Sequence, residues 1–538
     1  SGEFEAQTPY YYSCYDEEDE NIISKEKKIV VIGSGPIRIG QGIEFDYCCV
    51  HGVWAIKEAG FKSIIINNNP ETVSTDFDIS DKLYFEPLYI DDVMNIIRKE
   101  KPEGVIVQFG GQTSINLACK LEERGVKILG TSFNSIDLAE DREKFRNLLS
   151  SLDIPTPEGR AVSNVEEAYK AVEELGYPVL VRPSYVIGGR AMQIINDKVT
   201  LKKYIKEAVN ISPDHIILVD KYIRGTEIEV DAVSDGEDIL IPGIMEHVER
   251  TGVHSGDSIT VYPYFTLKAE TVEKLRDYTQ KIAKALKIIG LMNVQYVFDG
   301  KDVYVIEVNP RASRTIPIVS KVTNVPMVKL AVEIMLGKKL RELSYGTGVM
   351  KNKDFYAVKV PVFSNEKLAD VDTYLGPEMK STGEVLGIDR DFNKAIYKGF
   401  VSSGINIPVK GRLYVSLKDI DKEEAFSLIK EYVEFGFEIY GSKETSLYAN
   451  NHNLACSAIA IKKVFQLIHA GEINIIINTP TLGNNLKTSG FKIRRKAAEF
   501  RVPVFTCIDT ARQFLTAIKV KASAEEITYK TINEYLDL

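Results

Sequence analysis

Three oxygen-bearing side chains lie close together in NVQYVFDGKDVYVIEVNP, Asn293 to Pro310: Gln295, Glu307 and Asn309. Two apolar runs flank an Asp-Gly turn, so the segment reads as a hairpin, and Glu307 and Asn309 share one face of its second strand. A carboxylate at the end of a buried run is costly unless a cation sits against it, and Mg2+ takes such hard oxygens and shares them with nucleotide phosphates. Gln295 supplies a further ligand if the loop has an odd number of residues, whereas a two-residue Asp-Gly loop turns it to the opposite face. The alternative is a sheet-edge carboxylate paired with Arg311 or Arg314.

Other segments suit the phosphates themselves. Arg182 to Arg190, RPSYVIGGR, follows the strand YPVLVRP, and a Gly-Gly tip bracketed by arginines suits a lid over triphosphate oxygens. A surface loop with incidental arginines is the bland reading. In VDKYIRGTE, Glu227 could hold a ribose hydroxyl while the backbone from Lys221 to Ile223 meets an adenine edge. Gly252 to Ser258 is a glycine-flanked turn around His254, and a lone histidine is more often structural than catalytic. The turn GSGPIRIGQG has the spacing G-x-G-x-x-x-x-G, and the next strand ends in Asn67, Asn68 and Asn69 where a dinucleotide site needs an acid. It is either a loop facing a small anion at a helix start or a structural turn. No Ser-His-Asp spacing, Cys-His pairing or metalloprotease motif is present.

Positioning these groups requires several domains, since 538 residues exceed what one core supports. From Lys27, KKIVVIG, SIIIN, GVIVQFGG and VKILG alternate with helical stretches, which predicts a parallel α/β domain over 27–140. The helix EDREKFRNLLSSL, the break IPTPEG and closely spaced strands predict an α+β domain with antiparallel sheet over 141–345. Residues 346–405 read as an irregular connector wrapped on that domain. GRLYVSL, GFEIYG, INIIINTP and VPVFTCID predict a second small parallel α/β domain over 406–538. Residues 1–26, polar, acidic and tyrosine-rich, read as the remnant of a linker in a longer polypeptide.

The net charge of -9 argues against a nucleic-acid partner, because beyond a short basic stretch containing Arg494 and Arg495 no cluster of Lys and Arg stands out to neutralise phosphodiester charge. No apolar run reaches the roughly 20 residues a spanning helix needs, and no charged-then-apolar leader opens the chain. Six cysteines without a CxxC pair suit a reduced, cytoplasmic protein, with Cys48 and Cys49 on a helix.

Taken in order, GPIRIGQGIEFDYCCVH, NNNPETVSTD, FGGQT, EDREKF, RPSYVIGGRAM, GIMEHVERTGVHSGDS, GLMNVQY, IEVNPRASRT, LGPEMKSTGEVLG and INTP closely resemble the large subunit of carbamoyl-phosphate synthetase, from about Thr8 to the end. That family has two homologous ATP-grasp halves. The resemblance is to the C-terminal half, because the chain ends in what looks like the methylglyoxal-synthase-like allosteric domain rather than a helical oligomerisation domain. The implied fold is a pre-ATP-grasp α/β domain, an ATP-grasp domain and a methylglyoxal-synthase-like α/β domain. The resemblance further implies that Arg142, Arg182, Lys221, Ile223, Glu227, Gly252, Val253, His254, Ser255, Gln295 and Glu307 bind ATP. Gln295, Glu307 and Asn309 would bind Mg2+ or Mn2+, two ions to a site. Lys221 stands where relatives carry His, so its backbone role alone carries over.

The implied reaction is attack of carbamate on the γ-phosphate of ATP, with Arg190, Arg311 and Arg314 stabilising the transferred group, for pyrimidine and arginine synthesis. Implied partners are the N-terminal half of the large subunit or a second copy of this half, a glutaminase small subunit, carbamate reaching the site by a sheltered path, and an allosteric small molecule. Glu249 and Asp257 match two acids of the family's ornithine site, but Val360 replaces a third and the aromatic expected near Val504 is shifted to Phe505, so ornithine does not carry over. Lys462 or Lys463, Thr445, Asn478 and the loop after Asn478 could serve nucleotide inhibition, although Pro480 interrupts the hydroxyl run. The competing readings are another ATP-grasp ligase that forms an acyl phosphate, and a nucleotide-sensing module without turnover.

Overall fold

KIVVI and KSIII carry no polar alternation, as strands covered on both faces require. In the computed structural model, which describes residues 10–15, 17, 19–183, 192–209, 216–365, 367, 371–480, 487–523 and 525–537, they are the centre of a parallel sheet. Its strands are β1 (Tyr10–Tyr11), β2 (Lys28–Ile32), β3 (Lys62–Ile66), β4 (Lys82–Tyr84) and β5 (Gly104–Ile106), in the order β1-β4-β3-β2-β5. The edge strand β1 thus comes from the stretch read as linker. After the glycine run, the helix Glu44–Glu58 carries Glu44 and Asp46 in its first turn, where the helix dipole favours acids, and buries Cys48, Cys49, Val53 and Ile56.

Two antiparallel sheets follow. The smaller joins β6 (Gly159–Val162), β7 (Val179–Pro183), β8 (Gln193–Ile195) and β9 (Ile217–Lys221) in the order β6-β9-β7-β8. The larger has β10 (Thr226–Asp235), β11 (Ile239–Ile241), β12 (Ile244–Arg250), β13 (Thr260–Tyr262), β14 (Ile289–Phe298), β15 (Val303–Asn309), β16 (Gly348–Val349), β17 (Tyr356–Val362) and β18 (Gly383–Asp389). Its path runs β15-β14-β10-β12-β13-β17-β18. Residues 346–405 are therefore not irregular: they supply three strands and the helix Phe392–Ser402. Local signals hid them, because β17 pairs with the distant β13 and contains Pro361, which lies past the residues paired with β13.

The helices Ile316–Thr323 and Met327–Met335 are buried almost throughout. One apolar cluster joins Ile29 and Val53 of the first domain to Val233, Leu291 and Ala331, so the parallel domain and the large sheet share a core.

The last sheet is again parallel: β19 (Gly411–Ser416), β20 (Phe437–Gly441), β21 (Ser457–Ala458), β22 (Ile475–Asn478) and β23 (Val504–Phe505), in the order β21-β20-β19-β22-β23. Phe514 of the helix Ile508–Ala522 meets Phe400 edge-on at 5.3 Å, which seats this domain on the helix Phe392–Ser402. The chain then returns: Tyr535 packs 5.6 Å from Phe355 and its hydroxyl donates to the Ile388 carbonyl at 3.0 Å. Among the described residues no helix is long and apolar enough to cross a membrane. All six cysteines are free.

Candidate active site

The β14–β15 hairpin resolves the register of Gln295. Phe298 pairs with Val303, Val297 with Tyr304 and Tyr296 with Val305, an even loop that by itself would turn Gln295 away from Glu307. Ile306 is then an extra residue, a bulge, and beyond it Gln295 pairs directly with Glu307 and Asn293 with Asn309. The three donors therefore share one face. Asn309 Nδ2 donates to Glu307 at 3.0 Å, Arg311 donates to Asn309 Oδ1 at 3.0 Å, and Gln295 Nε2 lies 3.4 Å from Ser255 Oγ.

The turn holding Ser255 is built for close approach. Gly252 has φ +104°, and a Cβ there would meet Ile194 of β8 at 2.6 Å. His254 Nδ1 accepts the Gly256 N–H at 3.0 Å, so the ring is fixed with Nδ1 unprotonated. Burial, then the neighbouring Arg314, push His254 down to about 3, which keeps it neutral. Arg314 forms an ion pair at 3.1 Å with Glu44, at the start of the helix after the glycine loop.

That loop is tied from inside. Asn67, at the end of β3 where an acid would mark a dinucleotide site, accepts the Gly35 N–H at 3.0 Å. Gln41 donates to the Ser34 carbonyl at 2.7 Å and to Thr113 at 2.6 Å.

On the other side, Asp220 of β9 gathers the arginines. Arg142 donates to it at 2.6 Å, and Arg146 and Arg182 lie 3.5 and 3.8 Å away. Arg142 opens a helix capped by Asp141, whose carboxylate accepts the Glu143 and Lys144 N–H groups. Lys221 turns its ammonium to the Gly176 carbonyl, 3.2 Å away, and its N–H to Glu158. The Ile223 carbonyl accepts from Thr251 at 2.7 Å, which joins this edge to the Gly252 turn. Arg190 and the Gly-Gly tip of the expected lid lie outside the described residues.

Sequence reasoning named Glu227 but missed Glu229 and Asp231, the acids that follow it behind this surface. Glu227, Glu229 and Asp231 alternate along β10, with His247 of β12 between the first two, 3.6 Å from Glu227 and 3.3 Å from Glu229. Burial, reinforced by the charges of Glu229 and Glu307, pushes Glu227 up to about 7 against the pull of His247. Burial also pushes Glu229 up, but its close contact with His247, with Lys359 and Thr315, outweighs it and holds Glu229 at about 2. Burial and the charge of Glu229 raise Asp231 to about 6. The E-x-E-x-D alternation was the available signal, since period two places all three on one face.

This donor set fits a divalent cation. Among the described residues no group of three or more His, Cys, Asp or Glu side chains is arranged to hold a metal ion by itself. An ion here would take the Glu307 carboxylate, amide oxygens of Gln295 and Asn309, and oxygens from outside, the pattern by which Mg2+ shares nucleotide phosphates. Among the described residues, Arg182 Nε, Arg311 Nε and one Arg314 nitrogen are buried donors without a hydrogen-bond partner, which an anion would satisfy.

Glu249 and Asp257 lie behind the turn. Glu249 accepts from Ser258, from the Ile259 N–H at 2.8 Å and from Thr510 of the last domain at 2.7 Å. Asp257 accepts the Lys380 and Ser381 N–H groups, each at 2.8 Å. Residues 371–381 thereby form a strap: Gly376 accepts the His254 N–H at 2.8 Å, Leu375 N–H donates to Thr506, and Asp372 is locked to Arg494.

Residues 25–138 match the carbamoyl phosphate synthase preATP-grasp domain, residues 141–343 the carbamoyl-phosphate synthase L chain ATP binding domain, and residues 424–506 the MGS-like domain. The carbamoyl phosphate synthase large chain of Clostridium acetobutylicum is 68% identical over 536 residues, covering 99% of this chain and 50% of that protein. That of Thermoanaerobacter sp. is 52% identical over 538 residues, covering 100% and 50%. The chain spans half the length of these curated relatives. Among solved structures, the biotin carboxylase domain of Hydrogenobacter thermophilus 2-oxoglutarate carboxylase, in complex with MgADP, ADP and bicarbonate, superposes with a TM-score of 0.56 at 20% identity, covering 70% of this chain and 90% of that one. Biotin carboxylase from Campylobacter jejuni gives 0.55 at 18% identity, with the same coverages. At these identities the likeness is one of fold.

Proposed function

The chain belongs to the carbamoyl phosphate synthase large-chain family, and from that premise we propose that it phosphorylates carbamate with ATP to give carbamoyl phosphate, the last step of carbamoyl-phosphate synthesis. The observation that carries this reading is the bulge at Ile306, which turns Gln295, Glu307 and Asn309 to one face beside Arg311.

A carbamate oxygen attacks the γ-phosphorus, the bond from that phosphorus to the β-γ bridging oxygen breaks, and ADP departs with the electron pair. Such a transfer needs alignment and neutralisation of spread charge rather than a covalent nucleophile. Arg311 and Arg314, with buried donors unsatisfied, would hold the transferred group, and Arg190 would join them from the lid. Arg142 and Arg182 would exchange Asp220 for phosphate oxygens. Glu227 would accept a ribose hydroxyl, with the edge from Lys221 to Ile223 beside the base and Gly252, Val253, His254 and Ser255 against the phosphates. Neutral His254, with Nδ1 engaged, has Nε2–H to donate. Mg2+ or Mn2+ at Gln295, Glu307 and Asn309, two ions in the family pattern, would screen the phosphate charge.

Carbamate hydrolyses readily, so it would come by a sheltered path from an N-terminal half, as part of the same polypeptide or a separate chain, with a glutaminase subunit supplying ammonia. Cytoplasmic pyrimidine and arginine synthesis would consume the product. The last domain would take a small-molecule effector near Lys462, Lys463, Thr445 and Asn478; the loop after Pro480 lies outside the described residues.

The test is the reverse reaction, ATP formation from ADP and carbamoyl phosphate, which needs no partner half. ATP formation supports the reading. No ATP formation, with acyl-phosphate transfer to another amine in its place, overturns it.

A further inference from the structure

We infer that Gln108, in the first domain, is a positioning residue for Arg311, an inference that rests on the phosphoryl transfer proposed above. Gln108 lies two residues past β5 and is fully buried. Its side-chain Nε2 donates to the Pro310 carbonyl at 2.7 Å, and its main-chain carbonyl accepts the Ala312 N–H at 2.9 Å. These two bonds, from one residue 202 positions away from Pro310, grip the backbone on either side of Arg311.

Arg311 has little freedom once its backbone is held. Its guanidinium donates to the Ala312 carbonyl and to Asn309 Oδ1, each at 3.0 Å, and lies 5.7 Å from the centre of the Phe45 ring. A shift of the 310–312 backbone therefore moves the arginine and its contact with Asn309 together.

The clasp has a second member. Gln108 Nε2 also donates to Thr131 Oγ1 at 3.0 Å, and that oxygen accepts the Ile289 N–H at 3.0 Å and donates to the Ile289 carbonyl at 3.2 Å. Thr131 thus uses its one donor and both acceptor sites, pinning the start of β14 while Gln108 pins the end of β15. In this antiparallel hairpin both pins hold the open end, beyond the Asn293–Asn309 pair, and Gln295, Glu307 and Asn309 follow from that end toward the turn. Space is reserved as well: Gly130 (φ +113°) and Gly290 (φ +100°) flank Gln108 Oε1, and a Cβ on either would come within 2.6 or 2.8 Å of it.

Gln108→Met keeps the volume and the main-chain carbonyl but deletes the side-chain donor. Thr131→Val removes the acceptor it shares and serves if the first variant does not fold. Two readouts apply: kinetics of ATP formation from ADP and carbamoyl phosphate, and the affinities of ADP and a non-hydrolysable ATP analogue by calorimetry. A slipped Arg311 lowers kcat about 10- to 100-fold while KM for ADP stays within about threefold. It also narrows the preference for the analogue over ADP by about fivefold, because Arg311 would meet the γ-phosphate. A purely structural clasp lowers the melting temperature but leaves kcat, below that temperature, and the ADP-to-analogue ratio at wild-type values; that result overturns the inference. Should the wild type form no ATP, the proposed reaction falls, and the affinity ratio still decides the role of Gln108.

Discussion

Replacing Asp372 with Leu should weaken the attachment of the strap to the last domain. The Arg494 guanidinium donates to Asp372 through Nε at 2.7 Å and through a terminal nitrogen at 2.5 Å, and each side chain is 1% exposed. Removing one partner of such a pair leaves a buried charge whose remaining hydrogen-bond partner among the described residues is Asn478, and costs about 3–5 kcal/mol. For a unit of this size that lowers the melting transition by roughly 10–20 °C, read by calorimetry. The same strap supplies the Gly376 carbonyl to the His254 N–H, so KM for ATP should rise along with the loss of stability. The double variant Asp372→Leu/Arg494→Met removes both charges and should recover most of the lost stability, because well-packed apolar replacements of buried pairs are often neutral. A single variant within about 1 kcal/mol of wild type, or a double variant as unstable as the single, would refute the argument.

Glu307→Gln removes the one carboxylate among Gln295, Glu307 and Asn309, the residues proposed to hold the ion, so Mg2+-dependent turnover should vanish while the melting temperature holds; surviving turnover would sink the metal assignment. Burial pushes the Glu100 carboxyl up, but Lys82, Tyr84 and Lys28 outweigh it and hold it at about 2, below its ordinary 4.5. That depression is worth about 3 kcal/mol of stability, present above pH 4.5 and lost as pH falls towards 2. In urea titrations Glu100→Gln should therefore trail wild type at pH 7, with the gap narrowing at pH 3; a gap independent of pH would contradict the assignment. Gly110→Ala places a Cβ 2.5 Å from the carbonyl oxygens of Ile32 and Gly33, so the glycine loop must shift, at the upper end of or beyond the usual 1–3 kcal/mol of overpacking. Gly383→Ala, which meets nothing within 4 Å, is the control, and equal melting temperatures for the two variants would refute the close approach.

Local pattern made several elements legible without coordinates. Unbroken apolar runs such as IVVI at 29–32 and III at 475–477 announce strands covered on both faces, because period and burial are properties of a few consecutive residues. The hairpin around Asp299-Gly300, the helix bearing Cys48 and Cys49, and the pairing of Glu307 with Asn309 on one face follow from the same short-range rules. The ordered string of motifs carried the family. Distance along the chain hid the rest. β17 is recognisable only beside β13, nearly a hundred residues earlier, and Arg142 and Arg182 meet only because Asp220 stands between them. The orientation of Gln295 depended on a single extra residue, Ile306, which the spacing of the hairpin does not announce. A bulge costs little locally and is selected by what the strand must pack against. Strand faces can be read from the sequence because side-chain direction alternates along the backbone; which of those faces meet, and in what register, is settled by packing among segments that the sequence keeps far apart.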